Sequence, residues 1–192
     1  MQGKKSLFLI LLVLVLVMGG AYVLYGKLSA AVDTESLTAQ STEDPGEADE
    51  TEEMVPAPDF TVYDAEGNEV HLSDYAGTPV VLNFWASWCG PCKSEMPDFD
   101  AACQELSGEV QFLMINMTDG SRETVETASA FVEEQGYTFP VFYDTESQAA
   151  LAYGAYSLPT TYFIDAEGYA VARGVGALSA EALEQGIDMI RP

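Results

Sequence analysis

The feature that most restricts the fold is a pair of nearly continuous apolar runs, PVVLNFW (79–85) and VQFLMIN (110–116). Runs with so few polar interruptions suit strands covered on both faces of a sheet. Between them Met96, Phe99, Cys103 and Leu106 recur at steps of three, four and three, which makes one apolar stripe on a helix. The chain therefore has a strand–helix–strand unit at its centre. Around it, FTVYDAEGNEVHLSDY (60–75) reads as a small hairpin turning at Glu66, Gly67 and Asn68. Ser121 is placed to cap a helix whose buried side is Val125, Ala128, Phe131 and Val132, and Thr145 and Gln148 have capping-box spacing before a short helix through Leu151. TTYFID (160–165) and YAVARGV (169–175) form a second hairpin, and Ser179 opens a last helix with Ala180, Leu183, Ile187 and Ile190 inward. The order hairpin, βαβα, ββα implies a mixed α/β sheet with helices on both faces.

This pattern begins only near residue 55, and two other segments precede it. Lys4 and Lys5 stand before an uncharged apolar run from Leu7 to Tyr25. As a helix the run reaches roughly 28 Å, close to the ~30 Å hydrocarbon layer. A cleaved signal peptide is the rival reading, with Ser29 and Ala31 as small residues before a cut, but its apolar region is normally about 7 to 15 residues. The expectation is a membrane anchor over residues 1–27, spanning at about 7–25. Its N-terminus would be cytoplasmic by the positive-inside rule and everything after Tyr25 extracytoplasmic. From Leu28 to Pro58 there is no Lys or Arg, and nine Asp and Glu side chains are spread among Ser, Thr, Ala, Pro and Gly. Residues 28–54 are expected to be a disordered acidic tether. Seven Lys+Arg against 31 Asp+Glu give a net charge of -24, which repels phosphate backbones and argues against nucleic acid as a partner.

Cys89 and Cys92, in WASWCGPCKSEMPD (85–98), fall where the first buried strand ends and the Met96 helix begins. Pro91 fits a helix's first turn, where its missing N–H would be unpaired anyway. Cys89 is thereby placed at the helix N-terminus, where the dipole and unpaired N–H groups favour a thiolate. It is expected to be exposed and of lower pKa than Cys92, which lies further in and within reach for a disulfide. That arrangement suits exchange, with Cys89 attacking a partner disulfide and Cys92 resolving the mixed disulfide. Structural zinc needs four N or S ligands, and here there is one pair, a distant Cys103 and the single histidine His71, so no metal is expected. A staple closing so small a loop would stabilise little. Cys103, eleven residues beyond Cys92 on the same helix, is roughly 16 Å away along the axis, too far to join the pair. It reads as a buried apolar filler, and His71 as structural or surface.

FWASWCGPC (84–92) with KSEMP (93–97) and SLPTTYFID (157–165) resembles the thioredoxin superfamily, specifically the membrane-anchored TlpA/ResA-like thiol–disulfide oxidoreductases. The resemblance covers residues 55–192 and implies a thioredoxin-like fold with an N-terminal β-hairpin and a central inserted helix and strand, at about 121–143. It implies a cis peptide bond at Pro159, facing the cysteines, and a substrate groove formed by Trp88, Gly90, Pro91, Leu158 and Pro159. Glu95 matches an acidic residue near the cysteines in ResA-like members, hence a candidate proton carrier; the competing reading is a first-turn glutamate favoured by the helix dipole. Asn83 departs from cytoplasmic thioredoxins, which hold a buried aspartate there. No cofactor is implied beyond the redox-active Cys89–Cys92 disulfide. The implied activity is reduction of disulfide-containing protein substrates, including those of cytochrome c maturation, with a CcdA-like membrane thiol carrier as electron donor. A disulfide-forming oxidase, a thiol peroxidase, or a non-catalytic binding module for unfolded or haem-binding proteins are the alternatives.

Overall fold

The computed structural model describes residues 55–191. The expected anchor and acidic tether lie outside these residues; among the described residues no helix is long and apolar enough to cross a membrane. Seven strands form one mixed sheet: β1 (Thr61–Tyr63), β2 (Glu69–His71), β3 (Val80–Trp85), β4 (Gln111–Asn116), β5 (Val141–Tyr143), β6 (Thr160–Ile164) and β7 (Ala170–Val175), in the spatial order β2-β1-β5-β4-β3-β6-β7. β3 is an interior strand, parallel to β4 and antiparallel to β6. The apolar run 79–85 thus has a strand on each edge, and every residue from Val80 to Trp85 is buried.

Strand alternation sends these residues to two different cores. Val81 and Trp85 pack with Met96, Phe99, Phe112 and Phe163 beneath helices α1 (Gly90–Glu105), α2 (Val125–Gln135) and α4 (Ala180–Ile190). Val80, Leu82 and Phe84 face the other way, against Phe60, Val62 and the short helix α3 (Gln148–Tyr153). Burying each such side chain contributes about 1.5–3 kcal/mol. Asn83 points to the α1 face from the middle of β3, and that placement matters for the site. α4 approaches closely enough that a Cβ on Gly186 would come within 2.2 Å of the Phe163 ring.

Several local expectations are corrected. Ser121 caps nothing: its N–H and hydroxyl both donate to Asp119 Oδ1, at 2.7 and 3.2 Å. The cap of α2 is Thr124, whose hydroxyl accepts from Thr127 N while Thr127 Oγ1 accepts from Thr124 N. A threonine here does the work of the usual Glu or Gln. Of that helix's expected buried side only Ala128 is fully buried, Val125, Phe131 and Val132 being partly so. Thr145 and Gln148 form no box either; α3 follows Ser147 in a left-handed conformation, and Asp144 Oδ2 accepts from Ala150 N at 2.8 Å instead. Ser179 caps α4 as expected, but Ala180 is exposed and Gly186 takes its place on the buried side. Cys103 is half-buried rather than buried, packed at the edge of the α1 core. His71 Nδ1 lies 3.2 Å from Thr61 Oγ1 across the β1/β2 pair, a structural placement.

Candidate active site

Helix α1 begins where β3 runs out. The backbone at Cys89 is extended (φ -80°, ψ 109°), Gly90 and Pro91 form the first helical positions, and Cys92 N donates to Cys89 Sγ at 3.2 Å. Cys89 is thus the N-cap residue itself, with sulfur in the role usually taken by a Ser or Asp oxygen. The two sulfurs are joined in a disulfide, with Cα atoms 5.3 Å apart. The exposure expected of Cys89 is not found: it is 4% exposed against 0% for Cys92. It opens instead into a groove that Trp88 and Leu158 also line.

That groove, about 740 Å³, is lined by Trp88, Cys89, Gly90, Pro91 and Leu158, and extends to Met117, Leu151, Tyr156 and Arg122. Trp88, Leu151 and Tyr156 are exposed. The Leu158–Pro159 peptide bond is cis, and Pro159 is buried behind Leu158 at the start of β6. Of the five residues expected to shape a substrate groove, four line it and Pro159 stands just outside its wall.

Glu95 is no solvated first-turn glutamate. It is 1% exposed, on the buried stripe of α1 one turn below Cys92. Asn83 Nδ2 donates to its Oε1 at 2.9 Å, and Leu178 N donates to its Oε2 at 2.8 Å. Burial pushes its carboxyl up to about 7, the two hydrogen bonds offsetting only part of the shift. Asn83 Nδ2 also donates to Thr161 Oγ1 at 3.0 Å, so β3, β6, α1 and the loop before α4 all meet at this carboxyl.

A second buried carboxylate, Glu123, meets the chain at Ser87, two residues before Cys89. Its Oε1 accepts from Ser87 N at 2.7 Å and Asn116 Nδ2 at 2.6 Å, and its Oε2 from Ser87 Oγ at 2.7 Å. Asp119 makes this possible: its Oδ1 accepts from the N–H groups of Ser121, Arg122 and Glu123, curling the β4–α2 connection so that Glu123 turns inward. Glu123 therefore fastens the segment that delivers Cys89. Nothing in its local sequence marks it, since a glutamate just before a helix reads as a solvated charge. The one hint is that Asp119 and Thr124 both have turn and cap chemistry around it.

Comparison with known proteins agrees with this geometry. The AhpC/TSA family model matches residues 55–172. The thiol–disulfide oxidoreductase ResA of Geobacillus thermodenitrificans is 37% identical over 137 residues, covering 71% of this chain and 76% of that protein. ResA of Bacillus subtilis is 32% identical over 196 residues, covering 100% of this chain and 97% of its own. Among solved structures, a thiol:disulfide interchange protein of the thioredoxin family from Chlorobium tepidum superposes with a TM-score of 0.63 at 27% identity, over 74% of this chain and 99% of that one. A Cys-X-X-Cys disulfide at a helix N-terminus, a groove beside it that Leu158 lines, and this kinship converge: the chain belongs to the AhpC/TSA family, with a thioredoxin-like fold, and is a thiol–disulfide oxidoreductase similar to ResA.

Proposed function

We propose that the protein is a membrane-tethered, extracytoplasmic reductase of protein disulfides, with Cys89 as nucleophile, Cys92 as resolving thiol and Glu95 as proton carrier. The observation that carries the reading is the Cys89–Cys92 disulfide at the N-cap of α1, with a buried carboxyl poised near neutrality one turn below. In the dithiol form the Cys89 thiolate is favoured by the helix N-terminus and the Cys92 N–H. It attacks one sulfur of a substrate disulfide in the groove, forming a Cys89–substrate disulfide and releasing the other substrate sulfur as a thiolate. Cys92 loses its proton to Glu95 and attacks Cys89 Sγ. The Cys89–Cys92 disulfide forms, the second substrate thiolate leaves, and the protons of the protein's dithiol end on the substrate. Two electrons pass from protein to substrate, and a CcdA-like membrane thiol carrier restores the dithiol.

The CGPC sequence supports the reductive direction, being shared with thioredoxin at about -270 mV and not with the oxidant DsbA at about -120 mV. Lys4, Lys5 and the apolar run from Leu7 to Tyr25 support the tether and its orientation. The whole-chain similarity to B. subtilis ResA includes that run. Substrates on this reading include the haem-binding cysteines of immature cytochromes c, with Trp88, Gly90, Pro91, Leu158 and Pro159 holding the extended segment. Equilibration with glutathione buffers tests the direction: a potential near -270 mV is expected, and one near -120 mV would make the protein an oxidase. Cys92→Ala in cells should trap substrates on Cys89 as mixed disulfides.

A further inference from the structure

Arg122 has no role in the chemistry above, yet it lies in the same groove as Cys89. Its guanidinium carbon is 3.8 Å from the centroid of the Trp88 ring, a close cation–π contact. Among the described residues it makes no ion pair, although the chain carries 31 Asp and Glu against seven Lys and Arg. The other cations of residues 55–191 are differently occupied. Arg191 pairs with Glu109 at 2.8 Å, Arg173 reaches the Gly154 carbonyl, and Lys93 lies 5.5 Å from the Phe131 centroid. Asp119, the groove's own carboxylate, accepts from three backbone N–H groups through Oδ1 and makes no ion pair with the Arg122 guanidinium. A guanidinium with one face on an indole keeps its N–H edge free, and that edge is preorganised to take a carboxylate.

We propose that Arg122 is a specificity-determining residue that accepts an acidic side chain close in sequence to the reacting cysteine of the substrate; this rests on the reductase reading above. The surrounding acidic surface repels such a carboxylate everywhere else, so the contact sets the register of the bound segment and adds little general affinity for acidic proteins. The exposed Leu151 and Tyr156 on the opposite wall take the segment's apolar neighbours. The exchange steps are those already given: Arg122 gives up no proton and changes no bond.

The test uses two peptides of identical composition and net charge, each a mixed disulfide with 2-mercaptoethanol. In one a glutamate lies next to the cysteine. In the other it lies six residues away, about 20 Å along an extended chain and beyond the ~10 Å Debye length at 0.1 M salt. Exchange rates with the reduced protein are normalised to each peptide's rate with dithiothreitol, which removes intrinsic reactivity. The near-glutamate peptide should react about threefold faster, the scale of an exposed ion pair. Arg122→Gln should bring the ratio to one, and Arg122→Lys, which keeps the charge but loses the planar fork stacked on Trp88, should keep only part of it. Equal rates in the native protein, or a preference that persists in Arg122→Gln, overturn the proposal and leave the reductase reading standing. Failure to exchange with either peptide overturns both.

Discussion

Two buried carboxylates, Glu95 and Glu123, are held differently. Glu95 sits one turn below Cys92 on the buried side of α1, with two N–H donors. Glu123 sits beside Ser87 at the end of β3, with three donors gathered from β4 and the segment leading to Cys89. The first is under-supplied with hydrogen bonds for its depth, so burial dominates and its carboxyl is pushed up to about 7. The second binds two strand ends together through both oxygens. What surrounds a buried acid decides whether its proton is held more tightly or its oxygens are spent as fasteners.

If Glu123 is a fastener, its removal should cost the most. Glu123→Ala leaves Asn116 Nδ2 buried and Ser87 N part-buried without an acceptor, and each such group costs about 1–3 kcal/mol. A loss of about 4 kcal/mol in denaturant unfolding of the oxidised domain is expected, while a loss under 1 kcal/mol would mean that water replaces the carboxylate freely.

Glu95 should act on the pH dependence of stability. Its folded pKa of about 7 lies above the ordinary 4.5, so the folded state holds its proton more tightly than the unfolded state. The stabilisation is fully present below pH 4.5 and is lost as pH rises through 7. At 1.36 kcal/mol per unit the whole effect is about 3 kcal/mol. Measured at pH 4.5 and 8, the oxidised native protein should lose that amount relative to Glu95→Gln. Parallel curves for the two proteins would place Glu95 in a far more polar setting than its contacts indicate.

The smallest effect belongs to the Ser87 hydroxyl, one of three donors to Glu123 and only part-buried. Ser87→Ala should cost about 1 kcal/mol and leave the backbone bond from Ser87 N in place. A cost equal to that of Glu123→Ala would shift the fastening from the carboxylate as a whole to this single hydroxyl.

The contrast between the two acids also marks what the sequence could reveal. β3 and β4 were legible as continuous apolar runs, and α1 and α4 through their apolar stripes, with Ala180 misplaced on the last. CGPC at a strand–helix junction was legible because cap and proline chemistry act within four residues. Pro159 and Glu95 were reached through the resemblance, and neither the cis bond nor the depth of Glu95 follows from local residues. Glu123 and Arg122 went unread: Glu123 meets Ser87 36 residues away, and Arg122 meets Trp88 across a groove built by several elements. The misplaced caps at Ser121 and Thr145 have the same origin, since Asp119 accepts from Glu123 N and Asp144 from Ala150 N at the starts where those caps were expected. The exposure expected of Cys89 failed because its sulfur lies within a groove lined by residues far away in sequence, Met117, Tyr156 and Leu158 among them.

The most direct measurement is the pH–rate profile of thiol–disulfide exchange from pH 5 to 9 in the native protein, Glu95→Gln and Glu123→Gln. The native protein and Glu123→Gln should both show an inflection near 7, the pKa to which burial raises Glu95, and Glu95→Gln should lack it. An inflection that survives in Glu95→Gln, or disappears only in Glu123→Gln, would contradict the assignment of proton transfer to Glu95.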